Sequence, residues 1–119
     1  MAAINSYRDL TVWKRAMDLV QMIYALTKNF PKNEEYRITS QMIRAAISIP
    51  ANIAEGNARG SRKDYARFVS IARGSVAELS TFLMLAQRVE LAPKKELTPA
   101  FVASEEVGKM LTALHRSLK

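Results

Sequence analysis

Arg44-Ala-Ala-Ile-Ser-Ile-Pro50-Ala-Asn-Ile-Ala-Glu-Gly56-Asn-Ala-Arg-Gly60-Ser61 is the stretch on which the fold of this chain turns. Ala45, Ala46, Ile49 and Ile53 keep one helical stripe on both sides of Pro50, so the apolar phase survives the proline. Because proline has no amide proton, the carbonyl of Ala46 loses its helical partner, and we expect a bend there rather than a break. Gly56 suits the left-handed residue that closes many helices. Ala45, Ala46, Ser48, Ala51 and Ala54 are small enough to let another backbone come close. Ser61-Arg-Lys-Asp64 resembles a capping box that opens the next helix.

Downstream, Tyr65, Phe68, Val69, Ala72, Val76, Leu79, Phe82, Leu83, Ala86 and Val89 recur at helical spacing and predict the longest element. Gly74 and Ser75 interrupt it, and a mid-helix glycine costs about 1 kcal/mol relative to alanine. We expect close packing of Gly74 against the small residues of the preceding helix to offset that cost. Leu91-Ala-Pro93 then breaks the pattern. Thr98-Pro99 supplies an N-cap and a first-position proline for a last helix, whose stripe is Val107, Leu111, Leu114 and Leu118.

Upstream, Asn33-Glu34-Glu35 places acidic side chains at the expected start of the second helix, where the dipole favours them. The first helix spans the apolar residues from Val12 to Leu26, with Asp9 or Thr11 as its cap and Asn29-Phe30-Pro31 as its stop. Its apolar face is two stripes wide, more than one neighbouring helix covers. Four helices joined by short loops predict an all-α, antiparallel up-down four-helix bundle, one domain over residues 1–119.

Composition narrows function. The 119 residues contain no cysteine and one histidine, His115, which argues against disulfides, thiolate catalysis and zinc sites. No Glu-x-x-His occurs for a di-iron bundle site, and the Gly56–Ser61 turn lacks the spacing of a phosphate-binding loop. Neither a catalytic residue, a cofactor nor a metal is expected. The amino-terminal residues show no secretion signal, and no uninterrupted apolar run approaches roughly 18 residues, so a soluble cytoplasmic protein with no membrane association is expected. A net charge of +7 raises the local concentration of polyanions.

The densest basic segment is the turn after the second helix. Arg59, Arg62, Lys63, Arg67 and Arg73 are opposed only by Glu55 and Asp64, and the first turn of the third helix adds its dipole to that field. Two readings stand: a solvated loop, or phosphate contact with RNA or DNA of weak sequence preference. On the second helix Arg37, Gln41, Arg44, Ser48, Asn52, Glu55 and Arg59 line one polar face. That face is either solvated, or it brings Arg44, Asn52 and Glu55 against a partner or a second subunit.

Several strings together resemble a known family: Leu10-Thr-Val-Trp13-Lys-Arg-Ala16, Phe30-Pro31 with Glu34-Glu35-Tyr36, Gln41-Met-Ile-Arg44-Ala45-Ala46, Ser48-Ile-Pro50-Ala-Asn52-Ile-Ala-Glu55-Gly56, and Arg73-Gly74-Ser75-Val-Ala-Glu78-Leu79. They are similar to the bacterial four-helix-bundle proteins encoded in intervening sequences of 23S ribosomal RNA genes. These in turn are related to the accessory variability proteins of diversity-generating retroelements. The resemblance covers about residues 7–92. It implies a ring-shaped homopentamer with a basic surface and, for the retroelement relatives, contact with a reverse transcriptase and nucleic acid. It implies no enzymatic activity. Ser80 stands where the family commonly has an acidic residue, and Arg37 where it commonly has glycine. The expected function is therefore a non-enzymatic, oligomeric, basic bundle associated with nucleic acid; the alternative is a protein-protein scaffold.

Overall fold

The computed structural model describes residues 6–119. Among the described residues there is no strand, and the principal helices are α1 (Thr11–Thr27), α2 (Ser40–Ala58), α3 (Arg62–Arg88) and α4 (Lys94–Ser117). Each packs on its neighbour in sequence, and α1 closes the cycle by packing on α4. Cross-contacts fix the directions of the later helices. Arg44, Ser48 and Gly56 of α2 meet Glu78, Ser75 and Phe68 of α3, while Ser70 and Ser80 of α3 meet His115 and Ser104 of α4. Both pairs are antiparallel.

The core is the expected set of stripes: Leu19 and Ile23 from α1, Met42, Ile49 and Ile53 from α2, Val69, Leu79 and Leu83 from α3, and Val107 and Leu111 from α4, all essentially buried. Burying such side chains stabilises the fold by about 1.5–3 kcal/mol each before conformational entropy is set against it. Two serine pairs interrupt the apolar layers. Ser48 Oγ and Ser75 Oγ share a hydrogen bond of 2.8 Å between α2 and α3, and Ser80 Oγ and Ser104 Oγ share a buried one of 2.8 Å between α3 and α4. Ser80, where an acidic residue is the expected type, thus makes a neutral interhelical bond.

Several boundaries differ from the sequence expectation. α1 has neither Asp9 nor Thr11 as cap: Leu10 occupies that position without a side-chain bond, after a 3-10 turn at Tyr7–Asp9 that Ser6 caps. The approach to α2 is a 3-10 turn (Lys32–Glu34) and a π-helical turn (Glu35–Thr39) with non-helical backbone at Arg37, rather than a regular helix from Asn33. α2 runs through Pro50 to Ala58, so Gly56 is not its closing residue. The left-handed conformation falls four residues later, at Gly60 (φ 89°).

Gly56 is instead a packing glycine. A Cβ there would lie 2.7 Å from Phe68 Cβ and 3.2 Å from the Tyr65 ring, so a side chain is excluded by α3. The expected role of Gly74 fails by the same test, since a Cβ at Gly74 would meet nothing within 4 Å and the residue is exposed. Ser75, next to it, carries the contact with α2. α4 starts at Lys94, not at Thr98, and takes Pro99 into its body. Burial of Leu97 and Ala100 holds the first turns helical, so packing overrides the local start signal. Thr98 caps nothing and its Oγ1 donates to the Lys94 carbonyl.

α3 is long and apolar enough to cross a bilayer by length and composition, with a mean hydropathy of 1.3 over 18 residues. Within this fold its apolar face packs into the bundle core, while Arg67, Arg73 and Met84 point outward.

Candidate nucleic-acid interface

The turn Arg59-Gly60-Ser61 forms one end of the bundle. Gly60 turns the chain at positive φ, and Ser61 Oγ then accepts the Asp64 amide at 3.1 Å as the N-cap of α3, as its sequence predicts. The tight reversal holds the last turn of α2 beside the first turns of α3, and Gly56 lets Phe68 settle between them.

Phe68 is 6% exposed and acts as a platform. The Arg59 guanidinium lies 5.0 Å and that of Arg67 5.1 Å from its ring centroid, both within cation–π range. Arg59 Nη2 also donates to Glu55 Oε2 at 2.8 Å. That hydrogen bond, then the charge of Glu55, raises the Arg59 guanidinium above its ordinary value, so it remains cationic over any useful pH range. Arg62 Nη2 donates to the Ser117 carbonyl at 2.6 Å, which ties the turn to the exposed C-terminal end of α4. A cation suits that end of the helix. Lys63 stands exposed in the first turn of α3.

Four of the five basic residues singled out from the sequence, Arg59, Arg62, Lys63 and Arg67, thus share one end of the molecule. Arg73 lies apart, on the wall of a groove between α3 and α4 that Lys109 and Arg116 also line. Sequence reading did not group those two with Arg73, because they are more than 30 residues away along the chain. Their seven-residue spacing on α4 was the available signal.

The polar face of α2 is engaged within the chain. Arg44 donates to Gln41 Oε1 at 3.1 Å and to Glu78 Oε2 of α3 at 2.9 Å. Asn52 donates to the Ser48 carbonyl at 2.8 Å and to Ser48 Oγ at 2.9 Å, extending the Ser48–Ser75 bond into a short network. Glu55 is taken by Arg59. His115 shares a 3.0 Å hydrogen bond between its Nε2 and Ser70 Oγ, on the exposed surface near the end of α4. Among the described residues no group of three acidic or histidine side chains assembles as a metal site.

Residues 8–113 match the family model of the 23S rRNA-intervening sequence protein. The fold is similar to the crystal structure of a protein of unknown function from the S23 ribosomal protein family of Bacteroides thetaiotaomicron VPI-5482. The two are 25% identical with a TM-score of 0.80, over 88% of this chain and 98% of that one. No curated protein matches the chain.

Proposed function

The chain belongs to the 23S rRNA-intervening sequence protein family, and on that premise we propose that it is a non-enzymatic helical module that associates with nucleic acid through phosphate contacts. The observation that supports this reading most is the basic turn, where Arg59 and Arg67 are carried on the Phe68 ring and Arg62 is pinned to the end of α4. Cations held in place lose less side-chain entropy on meeting a phosphate than free ones do. Few aromatic rings stand at this end of the molecule, so binding is by charge and shape, with little sequence preference.

The measurement that tests this is a salt titration with a structured RNA and a duplex DNA. Binding should weaken as salt rises, with a log–log slope of about −0.9 per phosphate neutralised on duplex DNA. Changing Arg59, Arg62 and Arg67 together to Glu should abolish it. Absence of binding by the native chain at low salt, or its survival in that triple variant, overturns the reading.

The same molecule is proposed to work as a homo-oligomer, a ring of five being the arrangement the family resemblance implies. Its surface supports self-association. Tyr36 is 89% exposed, standing beside an apolar hollow of about 500 Å³ lined by Phe82, Leu85, Val89 and Leu91, and Met17 and Tyr24 leave the second stripe of α1 uncovered. The scaffold alternative would use Arg44, Asn52 and Glu55, which hold hydrogen bonds within their own chain, as Arg59 and Arg62 of the basic turn also do.

A further inference from the structure

We infer that the groove between α3 and α4 is a track for the phosphodiester backbone of a single polynucleotide strand, continuous with the basic turn. The proposal rests on the nucleic-acid reading above and locates a second part of its surface.

The groove has a volume of about 810 Å³, and both of its walls are basic. Arg73 comes from α3, and Lys109 and Arg116, seven residues apart on one side of α4, stand opposite; Glu105 is the only acidic residue in the lining. The antiparallel register set by Ser70–His115 and Ser80–Ser104 places Arg116 at the end nearest the turn, Arg73 about midway and Lys109 farthest along. The 2.6 Å bond from Arg62 to the Ser117 carbonyl joins the turn to that same end of α4. Arg59, Arg62 and Arg67 therefore stand at the Arg116 end of the groove, where Glu55 is paired with Arg59 and Asp64, in the first turn of α3, is the other acidic residue of the turn. Measured along α3 from Arg62 to Val76, this track is about 21 Å long at 1.5 Å per residue.

The floor supplies the second observation. Gly74 lines the groove in mid-helix, where a glycine weakens the helix, yet a Cβ there would meet nothing within 4 Å. Packing inside the chain does not require it, in contrast to Gly56. With Ala77, Gly108 and Ala113 it keeps the floor low enough for a strand to lie between the basic walls. No aromatic side chain lines the groove, so bases would not stack there, and recognition falls on the backbone. An acidic protein segment shares the charge, but Val76 and Met84 are the only large apolar side chains in the lining to receive its own, so the strand is the better match.

Fluorescence anisotropy of the full chain with labelled 12-nucleotide oligo(dT) and oligo(U) tests the inference. Changing Arg73, Lys109 and Arg116 together to Gln, with the turn intact, should weaken binding at least tenfold and make the salt slope shallower by about 2, at about 0.7 per phosphate on single strands. Gly74→Leu should weaken binding several-fold at unchanged slope while the helix keeps or gains stability, because leucine is the better helix former. Similar losses with both oligomers assign the track to the shared backbone; loss with only one assigns it to that sugar type. If the native chain binds but both variants bind like it, the groove is not the track, although the turn reading stands. Should the native chain bind neither oligomer nor any duplex, both readings fall. Tighter binding of a Glu-rich 12-residue peptide than of either oligonucleotide, lost in Gly74→Leu, makes the groove a protein site and overturns the inference.

Discussion

Gly56 lies against Phe68 so closely that a methyl group added to the glycine would fall 2.7 Å from the phenylalanine Cβ, and the ring held there carries the guanidiniums of Arg59 and Arg67. A packing contact between α2 and α3 thus sets where two surface cations stand.

Gly56→Ala should therefore destabilise the fold by about 1–3 kcal/mol, since the obstructing atom belongs to a fixed Cβ and must move with its helix. Gly74→Ala should do the opposite and stabilise by about 1 kcal/mol, having open space around it and a better helix former in place. Urea melts of the two variants check the contrast. Equal effects would mean that the α2–α3 contact is looser than 2.7 Å implies.

At Gly60 the constraint is the backbone alone. With φ at 89° and nothing within 4 Å of the place a Cβ would take, Gly60→Ala should cost about 1–2 kcal/mol through left-handed strain. Gly60→Asn should cost less, because asparagine tolerates that region. Thermal melts of both variants separate a backbone cause from a steric one, which would rank the larger side chain as worse.

Removing one hydroxyl of the buried Ser80–Ser104 pair should cost about 1–3 kcal/mol, because the other is left without a partner. The double change to alanine should cost less than the sum of the single ones. Tyr65→Phe should be neutral or stabilising, since the Tyr65 hydroxyl is buried without a hydrogen-bond partner in the chain. Denaturant midpoints of the four variants read all three outcomes.

If the proposed self-association uses the surface around Tyr36, light scattering at micromolar concentration should give a mass above the 13.3 kDa of one chain. Tyr36→Lys should lower it toward the monomer without changing the melt, because an 89% exposed side chain contributes little to its own fold. A monomeric native chain removes the oligomer, and an unaffected variant moves the contact to another surface, such as Met17 and Tyr24.

Most of the helix content could be read in advance because burial follows a 3.6-residue period: the stripes through Leu19, Met42, Leu79 and Leu111 are the buried core. The Ser61 cap was equally legible, since capping is a contact between residues three apart. The signals that misled were glycine and proline. Gly56 and Gly60 look alike as helix terminators, and Pro99 looks like a first-turn residue, yet the positions they take depend on what lies across the interface.

The sequence by itself determined the number of helices, their apolar faces and the basic character of the turn, because periodicity, capping and charge act over a few neighbouring residues. Tertiary structure alone decided which glycine packs and which one turns the chain. It also placed Arg73 beside Lys109 and Arg116 rather than with the turn, and gave Arg44 to Glu78. Those outcomes arise between residues as many as 43 positions apart in the chain, and only the antiparallel packing of α2, α3 and α4 brings them within reach of one another.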